Sequence, residues 1–168
     1  MKDEQLNHHQ VGFENLSKLE ISILLDQIDS PANLGSIFRN AEAFNVKTIW
    51  IREENKKDLN SNRFKRTSRS TLKNLNVIFY ENYQKVFEDF KGPKVGLEIT
   101  ANSCDVTKLG DIKTDQILLV LGNEKSGIDE NVLQQLDKVY HIKMFGKNSS
   151  MNVSQTLGIA LYELRRKI

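Results

Sequence analysis

The sequence predicts an α/β domain built on a mostly parallel β-sheet flanked by helices. Three observations predict it. Apolar runs of strand length recur at 21–28, 46–51, 76–81, 94–99, 116–123 and 139–144. Segments with helical spacing of apolar residues, or with helix-start signals, separate several of them. The run QILLVLGN (116–123) is apolar without alternation, the pattern of a strand buried on both faces.

The elements follow in order. Residues 1–20 are polar and read as an N-terminal arm, which leaves 21–168 as one domain. ISILLDQI (21–28) is a strand, punctuated by Ser30-Pro31. NLGSIFRNAEAFNV (33–46) sets Leu34, Ile37, Phe38, Ala41 and Phe44 on one helical face. VKTIWI (46–51) is the next strand, and 52–75 is a polar, basic loop with at most one helical turn. NVIFYE (76–81) is a strand, NYQKVFEDF (82–90) a short helix, and Gly92-Pro93 a turn before the strand KVGLEI (94–99). After the strand at 116–123, DENVLQQLD (129–137) is a helix whose acidic first turn suits the helix dipole. VYHIKM (139–144) is a strand, FGKNSS (145–150) a loop, and 151–168 a closing helix with cations in its last turns.

Composition bounds the function. Hydrophobic residues make up 39% of the 168, enough for a packed core. No run approaches the ~18 apolar residues of a membrane span, and MKDEQLNHHQ lacks the apolar stretch of a signal peptide. The single Cys104 excludes an internal disulfide framework and a multi-cysteine metal site. These features predict a soluble, cytoplasmic protein without membrane or metal. The net charge is +2, from 24 Lys+Arg against 22 Asp+Glu, and demands no nucleic-acid partner by itself. Its distribution says more. Arg63, Lys65, Arg66, Arg69 and Lys73 crowd 63–73 without an acid, and Arg165, Arg166 and Lys167 crowd the C-terminus. Such clusters suit an RNA footprint or an ordinary solvated face.

Parallel sheets bind ligands at the carboxyl ends of their strands. Two strand ends here are chemically unusual. In LVLGNEKSGI (119–128), Gly122 permits close backbone approach, Gly127 suits a positive φ, and Glu124 sits between them. No GxxxxGK[ST] or GxGxxG is present, and a carboxylate would repel phosphate, so the loop suits a cationic ligand or an arginine partner. In GKNSSMNVS (146–154), Ser149, Ser150, Asn152 and Ser154 crowd a helix start where one cap would suffice. A third motif, Asn33 to Asn40, places Arg39 on a helix beside Phe38 and Ala41 with Asn33 near the cap. Taken singly, these read equally as a strand-to-helix turn, a capping cluster and a surface arginine.

Together they carry a resemblance. The order N33-L-G-S-I-F-R39-N40, L121-G-N-E124-K-S-G127-I and S150-M-N152-V-S154-Q-T-L-G158-I-A-L-Y-E163 resembles the SpoU (TrmH-like) branch of the SPOUT methyltransferases, over about Ile21 to Arg166. The resemblance implies an α/β sheet with a C-terminal deep trefoil knot, a homodimer, and S-adenosylmethionine as cofactor with no metal. The implied reaction methylates a ribose 2′-hydroxyl in RNA. Residue by residue, it assigns Leu97, Gly122, Ile142, Ser150 and Met151 to the cofactor. It assigns Arg39, Asn33, Glu124, Ser150 and Asn152 to the catalytic centre, with Glu124 placed to pair with the arginine or support the dimer. It turns Arg63, Lys65, Arg66 and Arg69 towards RNA. The chain departs from many relatives in reading Ser70-Thr71 where they have Gly-Ala. It has about twenty residues before its first strand and stops at the closing helix, which favours tRNA over rRNA. An RNA-binding pseudo-enzyme and a generic nucleotide-binding domain are the competing readings. Intact Arg39, Glu124, Ser150 and Asn152 argue against the first, and the missing phosphate loop against the second.

Overall fold

The computed structural model describes residues 18–69 and 71–166. Most of the expected arm, His8, His9, Ser70 and Lys167 lie outside them. Seven parallel strands form one sheet in the order β3-β2-β1-β6-β4-β7-β5. They are β1 (Glu20–Leu25), β2 (Thr48–Arg52), β3 (Asn76–Tyr80), β4 (Lys94–Leu97), β5 (Cys104–Asp105), β6 (Gln116–Leu121) and β7 (Lys138–His141). The helices are α1 (Pro31–Ala43), α2 (Asn62–Ser68), α3 (Tyr83–Asp89), α4 (Glu130–Leu133) and α5 (Val153–Arg166).

The central strands β1 and β6 bury both faces, which is why their sequences are largely apolar, with Ser22 the buried polar exception. Ile21, Ile23 and Leu25 join Ile117, Leu119 and Leu121 in a core shared with α1, α2 and α5. Leu24, Leu118 and Val120 face the opposite way and pack with α3 and α4 through Val86, Phe87 and Val132. The result is three layers.

Several boundaries differ from the sequence expectation. The first strand stops at Leu25 because Gln27 takes φ 58°, which breaks the extended chain. Helix α1 starts at Pro31, earlier than 33, because Ser30 caps it through the Asn33 N–H and proline fits the first turn. The segment expected to be a loop, 52–75, is mostly helical: a 3-10 stretch at Glu53–Asn60, then α2, then another at Thr71–Asn74. Ser61 caps α2 through the Phe64 N–H, and Phe64 meets Phe38 edge-to-face at 5.1 Å. Gly35 lets α1 and α2 touch, since a Cβ there would fall 1.9 Å from Thr67 Oγ1. Helix α4 covers four residues, not 129–137, and β5 was not foreseen.

One buried charge stands out. Asp26, just past β1, is fully buried and accepts from Arg52 Nη2 at 2.9 Å and Nε at 3.2 Å, and from the Asp129 N–H at 3.2 Å. Burial pulls the Arg52 guanidinium down, but its bonds to Asp26 and nearby negative charge leave it above its ordinary value. Tyr80 closes the cluster by donating to Leu25 O at 2.9 Å, and burial raises its phenol. This cluster ties together the carboxyl ends of β1, β2 and β3.

Candidate cofactor and RNA site

A cavity of about 300 Å³ opens at the carboxyl ends of β4, β6 and β7. Leu97, Glu98 and Ile99 line it from β4, and Gly122 to Lys125 with Gly127 from β6. Tyr140, His141, Ile142 and Met144 line it from β7, Ser150 to Val153 and Thr156 from the start of α5, and Asn33 from α1. The cofactor residues expected from the sequence, Leu97, Gly122, Ile142, Ser150 and Met151, are all here. So are Asn33, Glu124 and Asn152.

The loop after β6 is tightly folded. Asn123 and Gly127 exchange two backbone hydrogen bonds of 2.9 Å, and Gly127 has φ +74°. A Cβ on Gly122 would lie 2.2 Å from Gly127 C and Ile128 N. Asn123 stiffens the turn: its Oδ1 accepts from the Lys125 and Ser126 N–H groups, and its Nδ2 donates to Gln27 O at 2.7 Å. Glu98 braces the other side, accepting from the Ile128 N–H at 3.2 Å.

The three motifs meet in a single relay. Glu124 accepts from the Asp29 and Ser30 N–H groups at 3.1 and 3.2 Å, and from Asn33 Nδ2 at 2.7 Å. Asn33 Oδ1 accepts from Asn152 Nδ2 at 2.9 Å, and Asn152 Oδ1 caps α5 by accepting from the Ser154 N–H at 2.8 Å. Its polarity is forced. A carboxylate only accepts and a backbone N–H only donates, so each amide between them has one orientation. Asn40 adds a bond from α1 to Ser154 O at 2.6 Å.

The structure places the other expected residues differently from one another. Within one chain Glu124 binds Asn33 and the backbone before α1 and does not pair with Arg39. Arg39 is exposed, does not line the cavity, and carries no ion pair or hydrogen bond among the described residues. Asn33 and Asn40 share a helix face, whereas Arg39 is rotated roughly 120° from it. The C-terminal cations are also engaged within the fold. Arg165 donates to Leu19 O, Phe44 O and Asn45 O at 2.9 to 3.1 Å, and Arg166 pairs with Glu163. In contrast, Arg63, Lys65, Arg66 and Arg69 are all exposed on and just after α2.

Sequence reasoning missed Glu98, Asn123 and Asn40. The signal for Glu98 was available: a carboxylate immediately past a strand's carboxyl end. His141 lines the cavity and also contacts Ser103 behind it. Ser103 Oγ already donates to Thr100 O, so His141 Nδ1 carries the hydrogen of their 3.0 Å contact. The charges lining the cavity are two carboxylates and one lysine, with His141 beside them. That set suits a cationic ligand rather than a phosphate. No group of three His, Cys, Asp or Glu among the described residues is placed to hold a metal ion.

Comparison with known proteins agrees. The model of the SpoU rRNA Methylase family matches residues 20–162. An uncharacterised tRNA/rRNA methyltransferase of Borreliella burgdorferi is 27% identical over 99% of this chain and 75% of its own length. The 23S rRNA (guanosine-2′-O-)-methyltransferase RlmB of Escherichia coli K12 is 27% identical over 86% of this chain, which spans 59% of RlmB. Among solved structures, the AdoMet-bound rRNA methyltransferase of Sinorhizobium meliloti superposes with a TM-score of 0.78 at 25% identity, covering 88% of this chain and 56% of that one. The AdoMet complex of the SpoU methyltransferase AviRb of Streptomyces viridochromogenes gives 0.77 at 26%, covering 88% and 60%. With its parallel sheet and C-terminal trefoil knot, the chain belongs to the SpoU methylase family.

Proposed function

We propose that this chain binds S-adenosylmethionine in the cavity and methylates a ribose 2′-hydroxyl in RNA, tRNA in preference to rRNA, as a cytoplasmic homodimer. The observation that carries the reading is the Glu124–Asn33–Asn152 relay, which joins all three motif segments at one cavity. The AdoMet complexes among the neighbours and the 2′-O activity of RlmB support the cofactor and the reaction. The donor set supports the cofactor too, since Glu98 and Glu124 give the cavity negative charge for a sulfonium. RlmB acts on 23S rRNA, so ribosomal RNA is the competing substrate. The division into an arm at 1–20 and one domain over 21–168 belongs to the same proposal.

The cofactor, when bound, supplies an activated methyl with a neutral thioether as leaving group. The chain's residues align an unreactive hydroxyl and manage its proton. The relay fixes the start of α1 against the start of α5, holding two cavity walls in register. A guanidinium is a poor general base, because it resists deprotonation. The role of Arg39 is to clamp an RNA phosphate and stabilise the developing alkoxide, not to act as base.

Incubating the protein with labelled S-adenosylmethionine and either tRNA or ribosomal RNA, followed by nucleoside mass spectrometry, tests the whole reading. A 2′-O-methylated nucleoside supports it. Cofactor-independent RNA binding without transfer would return the pseudo-enzyme reading. Arg39→Lys is expected to fold normally, bind cofactor normally and lose most methylation, because lysine cannot hold a phosphate bidentately. Near-normal turnover would remove Arg39 from the reaction. Charge reversal of Arg66 and Arg69 to Glu is expected to weaken RNA binding and flatten its salt dependence by about 0.7–0.9 in log–log slope per lost contact. Unchanged affinity in a filter assay would make α2 an ordinary solvated face.

A further inference from the structure

Four large apolar side chains among the described residues stand out of the core, and Phe145 is far ahead of the rest at 91% exposure. It occupies the loop between β7 and α5. Met144 just before it and Ser150 to Val153 after it line the cavity, and so does Ile99, itself 54% exposed on the β4 side. Both uncovered side chains therefore belong to segments that contribute to the same cavity.

The loop that carries Phe145 has a single sign of charge, although Asp105 lies within electrostatic reach of Lys143. Lys143 and Lys147 flank it, and no Asp or Glu occurs from Lys143 to Asn152. Lys143 Nζ stands 5.5 Å from the ring centroid. Asn148 and Ser149 add exposed neutral donors. An aromatic face on a loop that carries lysines and neutral donors but no acid of its own matches an unpaired nucleotide: the base stacks and the phosphates meet lysine. The cores of protein–protein interfaces are depleted in lysine, which counts against a second copy as the cover. The ring does not line the cavity, which counts against the cofactor's adenine.

We infer that Phe145 is a stacking platform for an unpaired base of the RNA substrate, with Lys143 and Lys147 engaging its flanking phosphates. The inference rests on the RNA methyltransferase reading and sharpens it: the substrate reaches the cavity as a single-stranded or extruded nucleotide, not within a duplex. Stacking accepts every base, so this contact selects strandedness rather than sequence.

The test is fluorescence anisotropy with a short single-stranded RNA of mixed sequence and a blunt duplex of the same sequence, alongside calorimetry with S-adenosylmethionine and light scattering. The wild type is expected to prefer the single strand. Phe145→Ala should lose about tenfold on it and nothing on the duplex, Phe145→Tyr should keep the preference, and cofactor affinity and particle mass should not move. Equal losses on both RNAs, or none, would overturn the inference. A fall in cofactor affinity would reassign the ring to the cofactor, and a change in particle mass would reassign it to a subunit contact. A wild type that binds neither RNA would instead refute the RNA reading itself.

Discussion

Gly122→Ala is expected to cost about 30–150-fold in S-adenosylmethionine affinity while the sheet stays folded. The Cβ would meet backbone, not a side chain that could swing aside: Gly127 C and Ile128 N at 2.2 Å and Gly127 O at 2.4 Å. The turn must open, and the paired bonds between Asn123 and Gly127 must lengthen or break. Overpacking of this kind costs about 1–3 kcal/mol. The loop is a cavity wall, so the penalty falls on the cofactor; 2–3 kcal/mol there corresponds to roughly 30–150-fold. RNA affinity should be unaffected, since α2 is not involved. Calorimetry showing cofactor binding within twofold of wild type would mean that the close approach at Gly122 is dispensable.

Asp26→Ala is expected to be the more damaging change for the fold. It removes the partner of Arg52 and the acceptor of the Asp129 N–H together. Breaking a fully buried pair costs about 3–5 kcal/mol. The Arg52 side chain is 24% exposed and recovers some water, so the lower end, about 3 kcal/mol, applies here. For a chain of this size that lowers Tm by roughly 6–12 °C. Asp26→Asn should fall between the two, keeping an acceptor but losing the charge. A drop of only a degree or so in a thermal melt of the alanine variant would show that the cluster adds nothing. Arg39→Lys makes a useful contrast, since it should change turnover without changing the melt.

Legibility in the sequence followed burial. β1 and β6 were plain because a strand covered on both faces writes a largely apolar run. Helix α2 was hidden because its burial rests on Phe64 and Ser68, leaving too few positions to show a 3.6-residue period. β5 was hidden because two residues at a sheet edge leave no pattern. In the site, Asn33, Glu124 and Asn152 looked like a capping residue, a loop carboxylate and another cap; the last two readings hold in part, while the cap of α1 is Ser30. Only their order hinted that they touch, because contacts spanning 91 and 119 residues leave no local trace. The direction of Arg39 was recoverable from helix geometry: Asn33 and Asn40 lie on one face of α1, and Arg39 does not.

The position of β1 bears on how the chain is made. On one side Ser22 pairs with Thr48, available almost at once during synthesis; on the other Glu20 pairs with Gln116, 96 residues later. Until β6 emerges, the apolar strand β1 presents an unpaired edge, the kind of surface that recruits other chains. A nascent chain stalled before Gln116 is therefore a client for chaperones, and no amount of cofactor can rescue it. The cavity needs residues from beyond that point.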